Sequence, residues 1–212
     1  MAAGDRREVL LEAGLAVFAE HGYHETSLGH IAERAGVSKA LIYEHFGSKA
    51  ELHKALLEQN RDELLGRVFE AIEGLDSPEQ RLRAGHDAFL GFVEERRDAW
   101  RMLFLNPGDP EAMATVERLQ EQVRDITAQL ISEHAPPESP IAGETVEVAT
   151  EMLAEQLVGS ARALAAWWDR HRDVPRAEIL EALMDFAWLG LERVAAGERW
   201  TQPSAAGRTS RN

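Results

Sequence analysis

Apolar positions along the chain recur at intervals of three and four, and sustained two-residue alternation bounded by hairpin turns is absent. Met113, Val116, Leu119, Val123, Ile126 and Leu130 trace one stripe and predict a helix over 111–134. Similar segments are separated by helix breakers: Gly22, Gly36, Gly47, the stretch from Gly74 to Pro78, Asn106 to Pro110, Ala135 to Pro140, and Asp173 to Pro175. Reading between them predicts an all-α fold of about nine helices, over 5–21, 28–34, 39–46, 49–73, 78–96, 98–105, 111–134, 141–171 and 176–196. The abundance of Ala, Leu, Glu and Arg agrees with that, as does the scarcity of Val, Ile and Thr. Helix length then divides the chain. Residues 1–47 hold three short helices and residues 48–200 hold long ones, while 201–212 are polar, aperiodic and expected to be disordered. There is no internal repeat.

The informative stretch runs from Thr26 to Leu52. Thr26 and Ser27 can cap a helix whose apolar positions are Leu28, Ile31, Ala32 and Ala35. Gly36 suits a tight turn, because only glycine enters positive φ without steric cost. Ser38 caps a short helix from Lys39 to Phe46, Gly47 ends it, and Ser48-Lys49-Ala50-Glu51 is a capping box opening the next. Two short helices joined by a three-residue glycine turn form a helix-turn-helix, whose second helix enters the DNA major groove. On that helix Ile42 and Phe46 face inward with Val37, leaving Lys39, Ala40 and Tyr43 on the opposite side. Ala40 permits close approach and can touch a thymine methyl, and Lys39 can reach a guanine edge or a phosphate. Tyr43 and His45 offer hydrogen bonds to flanking phosphates, and Lys49 adds an anion site at a helix N-terminus, with Thr26 across the groove. Glu44 beside the groove must point away or accept from a cytosine amine.

This stretch resembles the TetR family of bacterial transcriptional regulators. The residues that carry the resemblance are Gly22-Tyr23, Thr26-Ser27, Ile31-Ala32, Ala35-Gly36-Val37-Ser38, Tyr43, His45-Phe46 and Lys49, within about residues 8–57. The resemblance implies an all-helical homodimer with a ligand-binding body. It assigns groove-facing roles to Lys39, Ala40, Tyr43 and His45, and phosphate anchoring to Thr26, Ser38, Tyr43 and Lys49, with Ser27 in the same DNA-binding set.

The long-helix region adds two expectations. The last helix carries two adjacent apolar stripes, and the helix over 141–171 carries a similar band, which suggests burial on two sides. Leu157, Ala161, Leu164, Phe186, Gly190 and Leu191 are therefore candidates for a two-fold dimer interface. Aromatic and methionine residues crowd the middle, where the resemblance implies a ligand pocket. Phe89, Phe92, Trp100, Met102, Phe104, Met113 and Met152 are its candidate walls, with His86, Asn106, Gln156 and Arg162 as polar contacts. Plain core packing is the competing reading for each of them.

A net charge of −14 argues at first sight against DNA binding. The acidity is unevenly placed, however. Residues 1–50 carry five basic against seven acidic side chains, and Thr26 to Lys49 carry three against two. With no cysteine, disulfides, thiolate nucleophiles and cysteine-ligated metals are excluded. No secretory signal or membrane span is apparent, so a cytoplasmic setting is expected. Nucleotide-binding, nucleophile-elbow and zincin motifs are absent, and His21 and His24 sit at a helix end beside a glycine with no clear acidic partner for a metal site. No enzyme activity, cofactor or metal is expected. The expected function is a ligand-responsive, sequence-specific regulator, a repressor acting as a homodimer on a pseudo-palindromic operator and released by a small-molecule effector. The alternative is a helical ligand-binding or interaction protein without DNA recognition.

Overall fold

The computed structural model describes residues 3–105, 108, 110–133, 145–196 and 198. The expected tail over 201–212 and the candidate Asn106 lie outside the described residues. Among the described residues there are nine helices and no strand: α1 (Ala3–Glu25), α2 (Leu28–Ala35), α3 (Lys39–His45), α4 (Lys49–Ile72), α5 (Pro78–Glu95), α6 (Arg97–Phe104), α7 (Pro110–Ser132), α8 (Val146–Trp168) and α9 (Arg176–Ala195). Two differ noticeably from expectation. α1 resumes for three residues beyond a kink at Gly22, where φ is 73° and ψ is 170°. α8 is shorter at both ends: the Thr145 hydroxyl caps it by accepting from the Val148 N–H at 3.3 Å, and Asp169 ends it.

α1, α2 and α3 enclose a small core of Leu10, Leu11, Val17, Phe18, Ile31, Ile42 and Phe46, closed by Leu52 of α4. Each such side chain contributes on the order of 2 kcal/mol by leaving water. Local chemistry sets the angles between these helices. Gly36 sits at φ 66°, which lets the Val37 N–H reach the Ala32 carbonyl at 2.9 Å and closes α2. Ser27, Ser38 and Ser48 each accept from the backbone N–H three residues on, starting α2, α3 and α4.

α4 joins this head to the rest of the molecule. Its 24 residues span roughly 36 Å. It begins among α1 and α6 and continues along α5 and α7, while α7 pairs with α8, and α9 packs on α5 and α8. α6 is wedged between α1, α4 and α5, burying Ala99, Trp100, Met102 and Leu103. One buried carboxylate pins α6 to the far end of α8. Asp169 accepts from Arg97 Nε at 2.7 Å, Arg101 Nε at 2.9 Å and Arg172 Nη2 at 2.6 Å. Burial alone raises a carboxyl pKa, but these three guanidinium groups outweigh it and hold Asp169 below the usual range.

Candidate nucleic-acid interface and effector cavity

α3 presents two chemically distinct faces. Ile42 and Phe46 are buried in the head, whereas Ser38, Lys39, Ala40, Tyr43 and Glu44 are exposed, Tyr43 by 57%. The Ser27 and Ser38 oxygens are occupied as helix caps, which leaves each hydroxyl proton available to a phosphate. His45 is half-buried beside Phe46, with ring centroids 6.4 Å apart. Lys39 does not extend freely: its side chain lies across α2 against Gly29, where an added methyl would sit 2.8 Å from Lys39 Cε. Gly29 is thus a contributor to this surface that periodicity alone did not indicate.

Two expected phosphate anchors are placed elsewhere. Thr26 is only 3% exposed, and its hydroxyl donates to the Gly22 carbonyl at 2.7 Å, so it secures the kink in α1 instead of facing DNA. The Lys49 ammonium turns inward, donating to the carbonyls of Tyr23 at 2.7 Å and Thr26 at 2.9 Å, and it lies 4.3 Å over the Tyr23 ring. The unpaired carbonyls at the end of a helix need donors, and Lys49 supplies them for α1. Tyr23 also packs with Phe18 and His53, at centroid distances of 5.9 and 4.8 Å. Gly108, between α6 and α7, sits against Tyr23 and His53, so the head and the body meet at this aromatic cluster.

At the other end of α4, a cavity of 410 Å³ opens between α4, α5, α7, α8 and α9. That volume lies in the range of small-molecule sites, about 300–1,000 Å³. Leu64, Val68, Phe69, Phe89, Phe104 and Leu119 are among its mainly apolar walls. Phe89 and Phe104 were expected there, and they meet edge to face at 6.4 Å. Phe92, Trp100 and Met102, in contrast to expectation, are buried in the core where α5 meets α6 and do not reach the cavity. Met113 and Met152, about half exposed, and Gln156, exposed, also lie outside the wall. His86 and Arg162 belong to it.

Among the proposed dimer residues, Leu157, Ala161 and Leu191 form part of the cavity wall, so their side chains are committed inward. Leu164 packs half-buried on the core. Phe186 is 67% exposed, and Gly190 is exposed with open space around it. Val148, Met152, Trp167 and Leu189 are further exposed apolar side chains of α8 and α9, and none of them is among the expected dimer residues.

His86 is the one buried titratable group in the cavity wall. Its Nδ1 has no hydrogen-bond partner among the described residues, and burial pushes its pKa down to about 4, opposed only in part by the neighbouring Leu82 backbone. It is neutral at physiological pH.

Residues 10–56 match the family described as bacterial regulatory proteins, tetR family, and residues 78–190 match the tetracyclin repressor-like C-terminal domain. The chain belongs to the TetR family. Among relatives of this TetR-family transcriptional regulator is the HTH-type transcriptional activator FasR of Mycolicibacterium smegmatis. It is 35% identical over 193 residues, which cover 90% of this chain and 84% of FasR. A TetR-like regulator from Rhodococcus sp. RHA1 superposes with a TM-score of 0.75 at 27% identity, covering 91% of this chain and 98% of that one. FadR of Bacillus subtilis, crystallised with stearoyl-CoA, shares the fold with a TM-score of 0.69 at 16% identity, covering 91% and 99% of the two chains. The TetR-family assignment gives the helix-turn-helix its role in DNA binding. Among the described residues, no helix is long and apolar enough to cross a membrane.

Proposed function

We propose that this TetR-family protein is a cytoplasmic homodimer that reads a pseudo-palindromic operator and answers to an effector carrying an apolar chain. The observation that carries the reading is the continuity of α4. Lys49 in its first turn is tied to α1 of the head, while Leu64, Val68, Phe69 and Ile72 of its last turns wall the cavity. A ligand that favours one position of those last turns also biases the head, and its leverage is its differential affinity for the two states.

Lys39, Ala40, Tyr43 and His45 are the residues we assign to groove and phosphate contact, helped by the hydroxyls of Ser27 and Ser38. Phe186, Leu189 and Gly190 of α9, with Val148, Met152 and Trp167 of α8, are assigned to the dimer. An exposed apolar band of this kind on two adjacent helices supports burial against a second copy. The functional division is placed between residues 47 and 48, with α4 belonging to the effector body. An acyl thioester is favoured as the effector because the walls are apolar and FadR was crystallised with stearoyl-CoA. The protein acts by binding, and no bond-making step is assigned to it.

Repression is the sign expected from the sequence, and FasR is named an activator. Both arise from one DNA-binding geometry, the sign being set by whether the bound dimer blocks or recruits polymerase. The second reading, a ligand-binding protein without DNA recognition, draws on the net charge of −14. A salt titration of binding to the gene's own upstream region separates the two. Specific operator binding must weaken steeply with salt yet exceed binding to random DNA throughout.

A further inference from the structure

Three guanidinium groups lie in the cavity wall, and one of them is unengaged. Arg81 donates to the Leu75 carbonyl and pairs with Glu133 at 3.4 Å, and Arg124 pairs with Glu155 at 3.1 Å. Arg162, on α8 one turn beyond Val158 and Gly159, has no hydrogen-bond or ion-pair partner among the described residues. A methyl added at Gly159 would touch nothing within 4 Å, so there is room beside the Arg162 position. Two carboxylates share the wall, Glu155 engaged by Arg124 and Glu192 of α9 without an ion-pair partner among the described residues, so Arg162 and Glu192 are the two unengaged charges of the wall.

We propose that Arg162 receives the anionic head group of the effector while the effector's apolar chain occupies the cavity. The inference rests on the reading of the cavity as an effector site, and it narrows the ligand to a long-chain amphiphile with an anionic head. A mainly apolar cavity of 410 Å³ cannot solvate a charge, so the head must stay at the rim. Arg162 occupies such a position: it is exposed, yet shares the wall with the buried Leu157 and Ala161. A planar guanidinium matches a carboxylate or a phosphate with paired hydrogen bonds, and Arg162 can offer them without first breaking an ion pair, as Arg81 and Arg124 cannot. Glu192 repels the same head and directs it toward α8. The shared chemistry has two sources, the carboxylate of a free fatty acid and the phosphates of a coenzyme thioester.

The test uses the full-length protein with four probes of equal chain length: lauroyl-CoA, laurate, 1-dodecanol and dodecylamine. Binding is followed by tryptophan fluorescence, since Trp188 lies in the wall. Wild type is expected to bind at least one of the two anions more tightly than dodecanol, and the tighter of the two identifies the source. Arg162→Gln is expected to weaken that anion by about tenfold or more, the loss of a charge-assisted hydrogen bond, and to leave dodecanol unchanged. Arg162→Lys retains most of the anion binding, and Glu192→Gln keeps or tightens it. Unaltered anion binding in Arg162→Gln overturns the proposal, as does a preference for dodecylamine that Glu192→Gln abolishes. If wild type binds none of the four, the effector-site reading itself fails and the inference falls with it.

Discussion

The Lys49 ammonium stands 2.7 Å from the Tyr23 carbonyl oxygen and 4.3 Å above the centre of the Tyr23 ring. Twenty-six residues apart, these two groups fix the start of α4 to the end of α1. On the proposed mechanism, this is the point at which a movement of α4 driven from the cavity reaches the head.

Lys49 is accordingly expected to matter for stability as well as for DNA. Lys49→Met should lower stability by about 1.5–3 kcal/mol, the range for hydrogen bonds to a charged group. Thermal unfolding checks it. An unchanged melting temperature combined with a salt slope reduced by about one would return Lys49 to the phosphate-anchoring role suggested by sequence.

Two glycines with positive φ should respond differently to alanine. Gly36, at φ 66°, has open space where the methyl would go, so Gly36→Ala costs only backbone strain of about 1–2 kcal/mol. At Gly108, φ 93°, the methyl would lie 2.9 Å from Tyr23 Cβ and 3.1 Å from His53 Cε1. Gly108→Ala should therefore destabilise more and also shift operator affinity, although Gly108 lies outside the helix-turn-helix. Equilibrium denaturation and DNA titration of both variants make the comparison.

Asp169 holds three guanidinium groups from a position only 4% exposed. Asp169→Asn removes the charge and leaves those cations facing one another. The expected loss is about 1–3 kcal/mol, since Arg97, Arg101 and Arg172 are partly exposed and keep some of their hydration. Urea unfolding measures it, and a loss below 1 kcal/mol would mean that water replaces the carboxylate readily.

His86 sets a pH dependence. Its pKa falls from an ordinary value near 6.5 to about 4 on folding, so the unfolded chain binds more protons between those values. Its contribution is intact above pH 6.5 and is lost progressively as pH falls toward 4, by on the order of 3 kcal/mol. His86→Leu should flatten the stability profile over that interval, and denaturation curves at stepped pH will show whether it does.

The helix-turn-helix was legible because its determinants are local. Serine caps at 27, 38 and 48 and the glycine at 36 act within three or four residues, and the structure uses each as the spacing suggests. Thr26 and Lys49 were misplaced for the opposite reason. Lys49's partners lie 23 and 26 positions away, at a helix end that no local pattern connects to it. Helical spacing also separates a helix's apolar residues from its polar ones without naming the neighbour each apolar residue meets. Phe89 and Phe92 are one turn apart on α5, yet only Phe89 reaches the cavity. Leu157 and Ala161 carry the stripe expected of a dimer face and line the cavity instead.

The most direct measurement is fluorescence anisotropy of a duplex from the gene's own upstream region against a shuffled duplex, from low to physiological salt. Wild type should prefer its own sequence at every salt concentration, and both affinities should fall steeply as salt rises. Lys39→Ala and Tyr43→Ala should lose that preference with their melting temperatures unchanged. A wild-type protein that binds both duplexes equally at low salt would contradict the assignment of this chain as an operator-reading regulator.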